Sequence, residues 1–159
     1  MTLLEEGCPA EFLQLASENK SMPQENDFIK WFNIITQHTE IKPENITIRL
    51  VDKTESQMLN KQFRDQDRPT NVLSFPSQLP ADIDADYLGD LVICAPVVEL
   101  EAREQNKTID AHWAHMLVHG VLHLKGYDHI HTEQAREMEQ LEKEILVDMG
   151  FSDPYAEPV

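Results

Sequence analysis

Apolar positions along this chain switch between helical and strand periods, and the switches mark its elements. Phe28, Ile29, Trp31, Phe32 and Ile35 recur at helical spacing and predict a helix over residues 24–38. The polar stretch from Asn19, which contains Pro23, reads as the loop before it. Residues 11–17 alternate weakly and read as a first strand. Residues 46–51 alternate apolar and polar in β-branched residues, the pattern of a half-buried strand. Thr54 and Gln57 fit a capping box for a short helix whose inner stripe is Met58, Leu59 and Phe63. Residues 65–69 break that helix. Residues 71–75 then read as a short strand stopped by Pro76. Residues 77–86 read as an acidic surface loop and residues 88–94 as a further strand. Pro96 suits the first turn of a helix running to about Asn106.

The next helix is different in kind. From Ala111 to Leu124 apolar residues lie on nearly every side, so this helix is expected in the centre of the domain. Asp110 is its expected N-cap and Gly126 its C′ residue. A last helix over residues 132–149 carries Ala135, Met138, Leu141, Ile145 and Met149 on one face and acidic residues on the other, with Gly150 closing it. Strands and helices in this order predict an α+β fold: a mixed sheet packed with helices around a buried central helix. A length of 159 residues implies one domain, here spanning 1–159.

Composition adds limits. No apolar run is long enough for a membrane helix, and Met1 to Glu6 lack the basic and apolar regions of a signal peptide. Two cysteines, Cys8 and Cys94, do not make a disulfide framework, and Cys94 in an apolar run reads as a buried inert thiol. These features point to the cytoplasm. A formal net charge of −16 argues against non-specific nucleic-acid binding. The charge is uneven, however. The chain after His129 is strongly acidic, whereas Lys53, Lys61, Arg64 and Arg68 make residues 53–68 the most basic segment.

The chemistry concentrates in His119, His123, Gly126 and His129. On a helix, residues four apart share a face, so His119 and His123 can hold one ion. Gly126 lets the chain reverse, and His129 can then supply a third nitrogen. Three imidazoles leave a fourth position open, the pattern of a catalytic zinc site, with one Zn²⁺ per chain. Ni²⁺, Co²⁺ or Cu²⁺ could compete for such a site. His115, one turn before His119, could pair with it instead, but lacks a turn and third residue at the right offset. We read His112 and His115 as core or orienting residues, Asp128 as a candidate partner for a ligand imidazole, and His38 and His131 as surface residues. The histidine and glycine spacing fits the H-E-x-x-H-x-x-G-x-x-H pattern of metzincin proteases. Gly120 stands where those enzymes carry their glutamate base, so peptide hydrolysis by the usual route lacks its proton acceptor.

The stretch from His119 to His129 resembles the signature of the YbeY family of bacterial endoribonucleases. Further matching blocks are Asn60-Lys-x-Phe-Arg64, residues 69–76, Leu88-Gly-Asp-Leu91 and Gly150-Phe-x-Asp-Pro-Tyr155, in the family's order. The resemblance implies an α+β fold and a metal held by residues matching His119, His123 and His129. It places the family's functional arginine on Arg64. It further implies a single-strand-specific, metal-dependent endoribonuclease acting in ribosomal RNA maturation, including the small-subunit RNA 3′ end, and in ribosome quality control. Expected partners are therefore single-stranded rRNA and the ribosome or its proteins, not DNA or membranes. Chemistry agrees on Arg64, since a guanidinium can stabilise charge growing on phosphoryl oxygens. Lys61 and Arg68 are possible phosphate contacts. Two other functions compete: a metallohydrolase of peptides or small molecules, and a non-catalytic ribosome-associated metal protein.

Overall fold

A computed structural model of the chain describes residues 12–77, 87–127 and 132–152. Four strands, β1 (Leu13–Leu15), β2 (Ile46–Val51), β3 (Val72–Pro76) and β4 (Gly89–Cys94), form one sheet in the order β1-β2-β4-β3. β1 and β4 both run parallel to β2, while β3 runs antiparallel to β4 along the edge. Edge placement is what allows β3 to end on Pro76, which has no N–H to donate. The helices are α1 (Glu25–Thr39), α2 (Lys53–Arg64), α3 (Ala95–Glu104), α4 (Ile109–Lys125) and α5 (Thr132–Asp148). The fold is α+β with a mixed sheet, as the periodicities predict.

Strand alternation divides the sheet into two faces. Ile46, Ile48 and Leu50 of β2 and Leu91 and Ile93 of β4 join the main core with α1, α4 and α5. Trp113 is its largest fully buried side chain, and it meets Phe28 of α1 edge-on with ring centroids 5.7 Å apart. The opposite face carries Val51, Leu73, Val92 and Cys94 under Leu59 of α2 and Val97 of α3. Cys94 is buried as expected, and loss of solvent pushes its thiol pKa up, which keeps it protonated and unreactive. No described helix is long and apolar enough to cross a membrane.

Helix starts depart from the sequence reading. α2 begins at Lys53 after Asp52, so Thr54 lies within its first turn and forms no capping box. The Gln57 side chain instead bonds the Asp67 carboxylate at 2.9 Å. Met58 and Phe63 do not face inward; they are 60% and 52% exposed. The buried face of α2 is polar: Ser56 exchanges 3.0 Å bonds with the backbone of Thr70, and Asn60 donates to Arg68 O at 2.8 Å. These bonds pin the 65–70 connection against the helix, a role apolar side chains cannot fill. α4 is capped by Thr108, whose hydroxyl accepts from the Ala111 N–H at 3.1 Å. Asp110 sits one residue inside, where a carboxylate favours the positive end of the helix. His38 is not a plain surface residue. Its Nε2 pairs with Asp148 at 2.6 Å and ties α1 to α5.

Candidate metal centre

α4 is buried along most of its length, and His119 and His123 stand one turn apart on its partly open side. Their Nε2 atoms lie 3.0 Å apart. Two nitrogens on one tetrahedral zinc at 2.0–2.1 Å would be separated by about 3.3 Å, so the pair is already near ligand spacing. Past His123 the helix ends in a Schellman turn. The Gly126 N–H bonds His123 O at 3.0 Å, and the Tyr127 N–H bonds Leu122 O at 3.2 Å. This turn needs a left-handed residue, and Gly126 supplies it at φ 115°. His129 and Asp128, which follow, and His131 lie outside the described residues.

Gly120, which stands at the position of the protease glutamate, packs against the sheet. A Cβ at this position would come within 2.8 and 3.0 Å of the Leu91 methyl groups and 3.3 Å of Val72. The helix approaches the sheet closely here. A side chain at this position would press on these methyl groups, which would have to shift.

The structure adds a residue that the sequence reading placed on the acidic outer face of the last helix. Glu142 of α5 is fully buried. Its Oε2 lies 3.1 Å from Nδ1 of His119 and 3.2 Å from Nε2 of His115. A signal for it was present. Met138, Glu142, Ile145 and Met149 follow one helical stripe, and a carboxylate within such a stripe must find polar partners in the core.

Behind Glu142 runs a partly buried polar chain. Lys107 Nζ lies 3.2 Å from His115 Nδ1 and 3.5 Å from His112 Nδ1. His112 Nε2 reaches Glu101 Oε1 at 2.9 Å, and Asn71 Nδ2 donates to the same carboxylate at 3.0 Å. Burial pushes the Glu101 carboxyl up, but the bonds from His112 and Asn71 outweigh it and hold the pKa below the ordinary value. Burial likewise lowers Lys107, against the pull of Glu101 and Glu142. It also lowers His115, more than the contact with Glu142 raises it, so this imidazole is neutral at pH 7.

These contacts fix ring orientations. Lys107 donates to Nδ1 of His115, so the single proton of that neutral ring sits on Nε2 and points at Glu142. A carboxylate only accepts, so His119 donates Nδ1–H to Glu142 and presents a lone pair at Nε2. One ligand atom from each of His115, His119 and Glu142 lies within 4.8 Å of the others, close enough to hold a cation. The ring assignment nevertheless commits both nitrogens of His115 to other partners. Glu142 is therefore placed to orient His119, whose Nε2 lies beside that of His123. His112 thus sits in the core, while His115 contacts Glu142 beside His119, within the group of side chains able to hold a cation.

His119 and His123 open onto a cleft of about 440 Å³ that also contains Arg64, Asn71, Ser74 and Met116. Arg64 enters from the far end of α2. Its guanidinium donates to Ser74 O at 2.7 Å and to Phe63 O at 3.2 Å, and lies 5.2 Å from the centre of the Phe75 ring. Residues far apart in sequence thus share one cavity. Lys61 is paired with Asp67 at 3.9 Å on the exposed side of α2, and Arg68 is exposed nearby.

Loss of the orienting bond gives a direct test. Glu142→Gln keeps the volume but replaces the shared acceptor charge, and is expected to weaken zinc binding about 10–100-fold. Chelator competition on the folded variant would measure it. Unchanged affinity would show that His119 needs no carboxylate behind it.

A family profile described as Endoribonuclease YbeY matches residues 13–150. The solution structure of TM1509 from Thermotoga maritima superposes with a TM-score of 0.57. It is 27% identical, and the match covers 91% of this chain and 99% of that one.

Proposed function

The chain belongs to the YbeY endoribonuclease family, and on that premise we propose that its cleft cuts single-stranded ribosomal RNA with one zinc ion held by His119, His123 and His129. Membership supports a metal-dependent endoribonuclease in rRNA processing generally. The finer reading is maturation of the small-subunit RNA 3′ end and ribosome quality control, in the cytoplasm and in contact with ribosomal proteins. One observation supports it most: the converging Nε2 atoms of His119 and His123 share a cleft with Arg64, a combination suited to phosphodiester cleavage.

A bound zinc ion would supply Lewis-acid stabilisation of the phosphoryl oxygens and an acidified water. The chain's own residues do the rest. Glu142 holds the His119 ring in the tautomer that leaves Nε2 available. Arg64 presents N–H donors to the phosphoryl oxygens, where negative charge grows in the transition state. Its bond to Ser74 O and its place against Phe75 restrict the guanidinium before substrate arrives. The attacking group is water or the substrate 2′-hydroxyl. The product ends distinguish them, since attack by the 2′-hydroxyl leaves a cyclic phosphate. The peptidase alternative lacks its base, because Gly120 stands where that glutamate would be.

Metal removal tests the reading. Zinc-loaded protein is expected to cleave single-stranded rRNA, to stop after chelation, and to resume when zinc returns. Cleavage indifferent to chelator, or metal-dependent cleavage of peptides with none of RNA, would overturn it. Local basic residues are expected to contribute to RNA affinity in so acidic a protein. Affinity insensitive to salt and to substitution of Lys61 and Arg68 would remove that contribution.

A further inference from the structure

A second cleft, of about 690 Å³, lies on the sheet face opposite α4. It meets the first at Arg64, which lines both. The edge strand β3 separates them: Val72 and Ser74 line the cleft of His119, whereas Phe75 lines the second. A chain leaving the metal centre past Arg64 therefore rounds the sheet edge into this second cavity.

Its lining is aromatic and polar, with little net charge. Phe63 of α2 is 52% exposed and meets Phe75 edge-on, with centroids 5.2 Å apart and planes at 70°. Arg49 is held by Glu55 through bonds of 2.5 and 3.0 Å, so its charge is already matched. The Asp90 carboxylate accepts from the Tyr87 hydroxyl, which also bonds Thr47 at 2.7 Å. A phosphate placed here would face two carboxylates. A flat uncharged ring with donors along its edge would meet an aromatic surface and carboxylate acceptors.

We propose that this cleft binds an unpaired nucleobase of the RNA, stacked on Phe63, beside the nucleotide whose phosphate Arg64 engages. This rests on the RNA reading above and deepens it. Base–aromatic stacking tolerates any sequence, because every base has a π-face. A base inside a duplex cannot reach such a surface without being unpaired, so the pocket selects single strands by shape.

The test uses metal-loaded protein and a short 2′-O-methyl RNA strand, compared with the same backbone carrying abasic residues. The intact strand is expected to bind about tenfold more tightly, in line with one stacked base. Phe63→Ala should erase that difference and Phe63→Trp should restore it. Phe63 is half-exposed, so both variants are expected to fold, which circular dichroism would verify. Equal binding of intact and abasic strands by the parent protein would overturn the proposal. So would a preference that survives Phe63→Ala, or a cleft that ignores RNA and is filled instead by a protein segment. A protein that shows the base preference yet cleaves no RNA would sink the nuclease reading and leave the base pocket standing.

Discussion

His119→Ala should lose its zinc and cleave single-stranded RNA on the order of a thousandfold more slowly than the parent. The size follows from the metal, since an ion at a reacting phosphate contributes several kcal/mol of charge stabilisation. His119 is expected to matter most because it touches both His123 and Glu142. Alanine removes the ring nitrogen facing His123 and also takes one donor from a fully buried carboxylate. His115 still donates to that carboxylate, so a stability cost of about 1–3 kcal/mol is expected rather than unfolding. Metal content by atomic spectroscopy and melting temperature would separate the two effects. A folded variant that kept one zinc per chain would move the site elsewhere, with His115 and Glu142 the first alternatives.

Arg64→Ala should separate chemistry from metal binding. We expect kcat to fall about 10²–10³-fold, the cost of removing one preorganised donor from developing charge. Zinc stoichiometry should stay at the parent value, because Arg64 shares the cleft without being a metal ligand. Stability should change little, since the side chain is exposed and bonded only to backbone carbonyls and a ring face. Arg64→Lys keeps the charge but loses the planar fork, and should recover only part of the rate. Equal loss of zinc and of activity would make Arg64 structural. Unchanged kcat would withdraw it from the transition state altogether.

Much of the fold was readable because local periodicity reports burial. The alternation of residues 46–51 marked β2, and the nearly all-round apolar character of residues 111–124 marked the central helix. The reading of α2 was right at Leu59 and missed at Met58 and Phe63. Met58 and Phe63 look like an inner stripe, yet the helix is held by Ser56 and Asn60 reaching a loop eight or more residues on, and no periodicity records such bonds. The same turned face leaves Phe63 free to line the second cleft. Lys107 posed a similar difficulty. A lysine after a helix reads as solvated charge, and only the packing of α3 against α4 brings it between two imidazoles.

The sequence by itself determined the convergence of His119 and His123 and the turn at Gly126, because both follow from helix geometry over a few residues. It also determined that a glutamate base is absent, and the family signature pointed to Arg64. Tertiary structure alone decided that Glu142 points inward and contacts His119, that Gly120 of α4 packs against the Leu91 methyl groups, and that Arg64 lines two clefts. Those three facts depend on how α2, α4 and α5 settle on the sheet. Helix-to-sheet distances are set by the packing of side chains remote in sequence, which a local pattern does not contain.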